Sequence, residues 1–261
     1  MPAQRTCLAL GLALALAACA PPAAPPPALS LPAASARTAP GDRLPAATVA
    51  WYRQAHAGGA AVLAIGGGNA GSNPAVSSAG SSRIVVTVRR GGPLARLGHD
   101  HVVASEQIGG LIAPSLGRAD FGFRLDQLTV DDPLLRAQAQ LDTQPSAEAI
   151  AGTRLNMLNR VLEAELYPEV LMRVTVAPLA SGSASASASA QLSITLHGVT
   201  RTLATPVLIE QTAAGLRASG TLTLRQSDFG ITPMSVMNGA MTVLDTLELR
   251  YRIEATAAAQ F

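Results

Sequence analysis

Apolar and polar residues alternate along most of residues 83 to 255, and this pattern constrains the fold more than any other feature of the sequence. Successive side chains of a β-strand point to opposite faces, so alternation predicts strands with one apolar and one polar face. The clearest stretch alternates Leu247, Leu249, Tyr251 and Ile253 with Glu248, Arg250, Arg252 and Glu254. Antiparallel strands of this kind must stack or close on themselves to cover their apolar faces, which predicts a sandwich or a barrel.

One strong helical pattern interrupts the predicted strands. Ser146 is a suitable N-cap with Glu148 in the first turn, and Pro168 ends the segment. Between them an apolar stripe is formed by Ile150, Leu155, Leu158, Val161, Leu162 and Leu166. A second, shorter helix is predicted from Ala46 to His56. The fold class is therefore all-β with one or two helices, and a helix amid a strand meander can lie across one mouth of a barrel as a lid.

The N-terminus has the order of a secretory signal, predicted to cover residues 1–18. Arg5 precedes an apolar run from Leu8 to Leu16 that is too short to span a bilayer, and small residues follow. Leu16-Ala17-Ala18-Cys19 resembles the lipobox of bacterial lipoproteins, in which the cysteine becomes the acylated first residue. By resemblance to the lipoprotein sorting pattern, Ala20 favours the outer membrane. We expect a periplasmic protein anchored to the outer membrane through lipidated Cys19.

The rest of the chain divides by composition. Residues 19–43 are rich in Pro and Ala and predict a semi-extended tether. Residues 44–257 are predicted to form the barrel domain. Two low-complexity stretches within it, 66–82 and 181–190, are interpreted as flexible insertions.

Charge and residue usage exclude several classes of function. The 19 basic residues are all Arg and face 17 acidic residues without a basic block, so nucleic acid is not an expected partner. With Cys7 in the removed segment and Cys19 lipidated, the mature domain has no thiol, and no G-x-S-x-G nucleophile motif is present. The G-x-G-x-x-G at residues 66–71 is followed by Pro74 and a Ser/Gly run rather than a helix. We therefore expect no enzyme and no cofactor.

Four segments, taken in order, resemble the YceI-like family of bacterial periplasmic proteins. They are Gly98-His99-Asp100-His101-Val102, Tyr167-Pro168-Glu169-Val170, Leu196-His197-Gly198-Val199-Thr200-Arg201 and Arg225-Gln226-Ser227-Asp228-Phe229-Gly230-Ile231. The closing strand from Leu247 to Ala255, preceded by Asp245, also fits the family, and the resemblance covers about residues 60 to 257. It implies a lipocalin-like antiparallel β-barrel around an elongated apolar cavity, which in family members holds a polyisoprenoid or a similar long amphiphile.

If the alternating apolar residues face inward, the resemblance implies that they line the ligand cavity. The predicted cavity residues are Phe121, Phe123, Met172, Val174, Ile194, Leu222, Leu249 and Tyr251, and the predicted lid residues are Leu155, Leu158 and Leu162. The expected partner is an apolar amphiphile, polyisoprenoid-like or fatty-acyl. Two alternatives remain open: a metal-binding or redox-assisting protein that uses His99 and His101, and a structural adaptor whose barrel is solid.

The Cys19→Ala variant tests the anchor. We expect it to leave the membrane fraction while the barrel stays folded, because the predicted tether makes no core contacts. Membrane fractionation after a high-salt wash measures the attachment, and a variant that still sediments with membranes contradicts the prediction.

Overall fold

The structure, a computed structural model, describes residues 41–66, 82–178 and 184–258. The signal segment, Cys19, the tether as far as residue 40 and most of the 66–82 stretch lie outside these ranges. Of the predicted tether, residues 41–43 are described, and there the Arg43 guanidinium donates to Gln127 Oε1 over 2.9 Å. Among the helices of the described ranges, none has the length and hydropathy of a bilayer span.

Three α-helices and twelve strands make up the described chain. The helices are α1 (Ala46–Ala57), α2 (Pro133–Gln138) and α3 (Ala147–Asn156). The strands are β1 (Leu63–Ile65), β2 (Arg83–Gly91), β3 (His101–Ser105), β4 (Gly109–Ala113), β5 (Arg118–Arg124), β6 (Thr129–Val130), β7 (Glu169–Thr175), β8 (Ser185–Leu196), β9 (Val199–Thr212), β10 (Gly215–Arg225), β11 (Ser235–Val236) and β12 (Met241–Ala257).

Eight antiparallel strands close into a barrel in the order β1, β4, β5, β7, β8, β9, β10, β12, with β12 pairing β1 to complete the ring. The 17 residues of β12 are enough to pair β10 along one edge and both β2 and β1 along the other. Strands β3 and β6 extend the sheet beyond β2. The predicted all-β fold, a lipocalin-like barrel, is confirmed.

Two helices pack on the outer face of the sheet, so some strands are covered on both faces. Helix α1 buries Tyr52 against Leu111 and Ala113 of β4, and α2 buries Leu135 against Val102 and Ala104 of β3. Strand β4 accordingly has all five residues buried, and its sequence shows no alternation. Helix α1 matches the shorter predicted helix, whereas α2, capped by Asp132, was not predicted.

Helix α3 has the predicted N-cap, since Ser146 Oγ accepts a hydrogen bond from the Ala149 N–H group over 3.2 Å. A π-helical turn, Met157–Val161, continues it. The segment then meets the β8–β9 turn, where His197 Nε2 lies 2.8 Å from Glu163 Oε2 and the His197 ring lies against Tyr167. The helix therefore covers the end of the barrel at which this turn lies.

The interpretation of residues 181–190 as a flexible insertion was wrong for the part that the structure describes. Residues Ser185 to Ala190 form the first half of β8 and pair with β9 from Glu210 to Thr205. The tract has a period of two, which is the period of a strand, and places its alanines opposite Ile209, Val207 and Thr205. Small side chains suit this position because they face the barrel interior, where Ala190 is 1% exposed.

Two neighbouring substitutions test this assignment. Ala190→Asp puts a carboxylate on the buried inner face and should lower the free energy of unfolding by about 2 kcal/mol or more. Ser189→Asp, on the exposed outer face of the same strand, should change it by less than about 1 kcal/mol. Urea titrations measure both variants, and equal effects would show that the tract is outside the sheet.

Candidate functional site

The interior of the barrel contains an elongated cavity of about 370 Å³. At the α3 end it is lined by Met157, Leu162 and Met234, and at the other end by Val176 and Ile209. Between the ends the wall is almost entirely apolar, with aliphatic side chains outnumbering aromatic ones. Because the lining residues come from both ends of the strands, the cavity runs along the barrel and suits an extended chain rather than a compact ligand.

All eight predicted cavity residues lie on this wall. They are Phe121, Phe123, Met172, Val174, Ile194, Leu222, Leu249 and Tyr251. The strand register explains why they share a face: Phe121 is opposite Met172, which is opposite Ile194, and Leu222 is opposite Leu249. Their place in the barrel follows from alternation, while their role in binding stays a prediction.

The three predicted lid residues have different surroundings. Leu162 lines the cavity, and Leu158 is buried in the main core. Leu155 lies on α3 but is 61% exposed and, unlike Leu162, does not line the cavity. The π-helical turn that follows Asn156 changes the helical period, so a stripe counted at 3.6 residues per turn does not continue through it. Met157 and Val161 face the cavity there.

Among the polar side chains that line the cavity, His101 is held by a buried network of hydrogen bonds. Its Nδ1 lies 2.6 Å from Asp131 Oδ2. The other carboxylate oxygen of Asp131 accepts hydrogen bonds from the Val102 N–H group over 3.0 Å and from Arg136 Nη1 over 2.5 Å. Asp131 and Arg136 are 0% and 3% exposed at their side chains, so the pair is buried.

Hydrogen bonds determine the protonation state of Asp131. Burial alone raises the pKa of Asp131, but hydrogen bonds from His101, Val102 and Arg136 outweigh burial and hold the pKa below its usual value. Asp131 is therefore a carboxylate at neutral pH, and His101 Nδ1 carries the hydrogen that it shares with Asp131. Sequence reasoning missed both Asp131 and Arg136, because a buried ion pair between two short elements leaves no periodic signal.

The alternative of a metal site on His99 and His101 is not supported by the geometry. The two imidazole centroids are 6.3 Å apart, and Asp100 is bonded by Arg89 and the Arg90 N–H group. In the described ranges no group of three or more His, Cys, Asp or Glu residues is placed to hold an ion. A closed zinc or copper site needs more ligands than these two histidines supply.

The barrel wall has a seam between β9 and β10. Their pairing extends only from Thr212 opposite Gly215 to Leu208 opposite Ser219, which leaves residues 199–207 of β9 without a β10 partner. Tyr251 bridges the seam, because its OH donates to the Pro206 carbonyl over 3.3 Å. Gly220 permits this, since a Cβ there would lie 2.5 Å from the Tyr251 oxygen. Burial raises the pKa of Tyr251, so the phenol keeps its proton.

Comparisons with known proteins give a family match and similar solved structures. A model of the YceI-like domain family matches residues 104–255, more than half of the chain. A comparison with curated proteins gives no match. Among solved structures, a polyisoprenoid binding domain from Saccharophagus degradans, implicated in plant cell wall breakdown, is 12% identical, with 76% of this chain and 99% of that chain covered and a TM-score of 0.49. Burkholderia cenocepacia BcnA is 14% identical, with coverages of 66% and 94% and a TM-score of 0.43.

The Asp131→Asn variant tests the buried cluster. Removing the carboxylate charge leaves Arg136 buried without its partner, and the free energy of unfolding at pH 7 should fall by about 3 kcal/mol or more. Asp126→Asn is the control, because its pair with Arg124 is partly exposed and should contribute less than about 1 kcal/mol. Denaturant titrations measure both, and equal small losses would contradict the assignment.

The stability difference between the wild type and Asp131→Asn should also depend on pH. A carboxyl whose folded pKa lies below its unfolded value, here near 3.8, stabilises the fold above the unfolded pKa and loses this contribution as the pH falls through the folded pKa. The stability difference between the wild type and Asp131→Asn should thus be constant near neutral pH and narrow below about pH 4. A difference that widens on acidification would show the opposite sign of shift.

Proposed function

The chain belongs to the YceI-like domain family, and we propose that it binds and carries a long apolar amphiphile inside its barrel. The observation that carries this proposal is the elongated cavity of about 370 Å³ with an almost wholly apolar wall. A polyisoprenoid-like or fatty-acyl chain, the ligand class that the sequence resemblance implies, matches this surface. The proposal assigns the protein no catalytic step.

Burial of the ligand chain supplies the binding energy. Each buried methylene contributes about 0.8 kcal/mol, against which stand the lost freedom of the ligand and the ordering of side chains. A chain of ten or more carbons therefore gives favourable binding without any strong polar contact. Charged groups of a ligand would lie against apolar side chains along the middle of the cavity, where Met172, Ile194 and Leu249 form part of the wall.

We also propose that the protein works at the periplasmic face of the outer membrane, held there by lipidated Cys19. The support is the N-terminal sequence, with its apolar run, its lipobox-like Leu16-Ala17-Ala18-Cys19 and Ala20 after the cysteine. A tethered barrel keeps its cavity close to the membrane from which an amphiphile is taken or to which it is delivered.

Native mass spectrometry and organic extraction of the protein purified from its own host test the proposal directly. We expect a long-chain lipid in stoichiometric amount. A metal without lipid would favour the His99 and His101 alternative, and neither would favour the structural adaptor.

Substitution of Leu222 by Trp tests whether ligand and side chains compete for space. Leu222 lines the cavity, so Leu222→Trp should fold with a small loss of stability and lose the co-purifying lipid. Thr223→Trp is the control, since Thr223 is exposed on the outer face of the same strand and should keep the lipid.

The two possible interiors give different results for this pair. If the barrel interior were a solid core, Leu222→Trp would overpack it at a cost of about 1 to 3 kcal/mol. A lipid-free parent with a strongly destabilised Leu222→Trp variant refutes ligand binding.

A further inference from the structure

The polar groups of the cavity wall are concentrated at its α3 end. His101 lies on the inward face of β3 opposite Val88 of β2, which is opposite Leu247 of β12, and all three line the cavity. Thr153 and Asn156 of α3 line the same end. An amphiphile whose chain lies along the barrel would place its polar head at this end.

His101 is held in one orientation there. Asp131 accepts the hydrogen of Nδ1, and Asp131 is itself fixed by Arg136 and by the Val102 N–H group. The imidazole therefore has no freedom to turn its other nitrogen away without breaking a buried hydrogen bond. Within the described residues Nε2 has no hydrogen-bond partner, although the ring lines the cavity. In the neutral tautomer that Asp131 selects, Nε2 is a hydrogen-bond acceptor.

The charges around this nitrogen select against an anionic head group. The carboxylate of Asp131 is matched by Arg136, so the cluster offers no surplus positive charge. Among the described residues that line the cavity, Arg118 carries the guanidinium, and it lies at the other end. There it donates to Asp120 over 2.7 Å and stacks on Trp51. Among the described residues that line the cavity at the α3 end, a phosphate or carboxylate would find no guanidinium to pair with.

We propose that Nε2 of His101 accepts a hydrogen bond from a hydroxyl group of the ligand, so that the barrel selects long-chain alcohols, isoprenoid or aliphatic. This inference rests on the proposed function and adds the chemistry of the head group. An ester, ketone or ether of the same length offers acceptors only and leaves Nε2 without a partner. An alcohol supplies the missing donor and brings no net charge into the cavity.

Wild-type protein, stripped of lipid, provides the first test. Calorimetric titration with farnesol, farnesyl methyl ether and farnesoic acid compares three heads on one chain. One buried hydrogen bond corresponds to about tenfold in affinity, so farnesol should bind about tenfold more tightly than the ether and more tightly than the acid at neutral pH.

Two histidine variants assign the preference to a residue. His101→Phe keeps an aromatic ring of similar size and removes Nε2, so farnesol should bind it no more tightly than the ether. His99→Phe is the matched control, because His99 is two residues away but does not line the cavity, and it should keep the preference. Comparing the two ligands within each variant removes general effects on the cavity.

Nitrogen NMR of the wild type gives a measurement that does not depend on a variant. The Nε2 resonance of His101 should move on addition of farnesol and stay in place on addition of the ether, while the Nδ1 resonance stays in place with both.

The outcomes separate this inference from the function beneath it. If neither farnesol nor its ether binds the wild type, both the proposed function and the head-group assignment fail. If the two bind equally, if the acid binds most tightly, or if the preference survives in His101→Phe, the assignment to His101 is overturned while lipid binding stands.

Discussion

Closure of the sheet through β12 is the constraint on which the rest of the structure depends. Its final residues pair with β1, a strand of three residues that also pairs with β4, and this short element joins the two ends of the sheet. Without closure, the apolar faces of eight strands and two open edges would be exposed to water. Closure buries one continuous apolar face. The inward side chains do not fill the enclosed space completely, so a cavity remains. The cavity is thus a consequence of the strand number and of the small residues on the inner face, such as Ala119 and Ala218.

The barrel and its inward-facing residues could be predicted from the sequence because strands have a regular period. A strand has a period of two, so the inward residues of β5, β7, β8, β10 and β12 follow from alternation alone, and Phe121, Ile194 and Leu249 are found where the pattern places them. Low-complexity composition predicted structure less well than periodicity did. The Ser/Ala tract has the composition of a linker, but its period is that of a strand, and period rather than composition decides whether one face can be buried. In the segment that covers the end of the barrel, the π-helical turn after Asn156 changes the helical period, which is why Leu155 does not share the inward face of Leu162 as the predicted stripe required.

Other features depend on contacts between distant segments and leave no local signal. Asp131 follows a strand of two residues and has a positive φ of 57°, and Arg136 lies in a helix of six residues. Neither element would be recognised as part of a site. A second buried carboxylate, Asp120, receives hydrogen bonds from Tyr52, Arg118 and Arg173 beneath α1 on the outer face of the barrel. Both carboxylates join the sheet to a helix on its outer face, and the one that contacts His101 is linked to the cavity through that imidazole.

The polar end of the cavity and the α3 segment that covers it are held in place by different kinds of contact. The Asp131–Arg136 pair is buried, and breaking such a pair costs about 3 to 5 kcal/mol. The segment that follows α3 contacts the β8–β9 turn through Glu163 and His197, and the Glu163 side chain is 47% exposed. An exposed pair of this kind contributes about 0 to 1 kcal/mol. Leu155 and Leu166 on the same segment bury little of their surface. The same segment buries Leu158 in the main core, and Met157, Val161 and Leu162 pack against that core. The polar end of the cavity is therefore fixed by a buried ion pair, whereas the segment that covers it is held mainly by apolar packing rather than by its exposed ion pair.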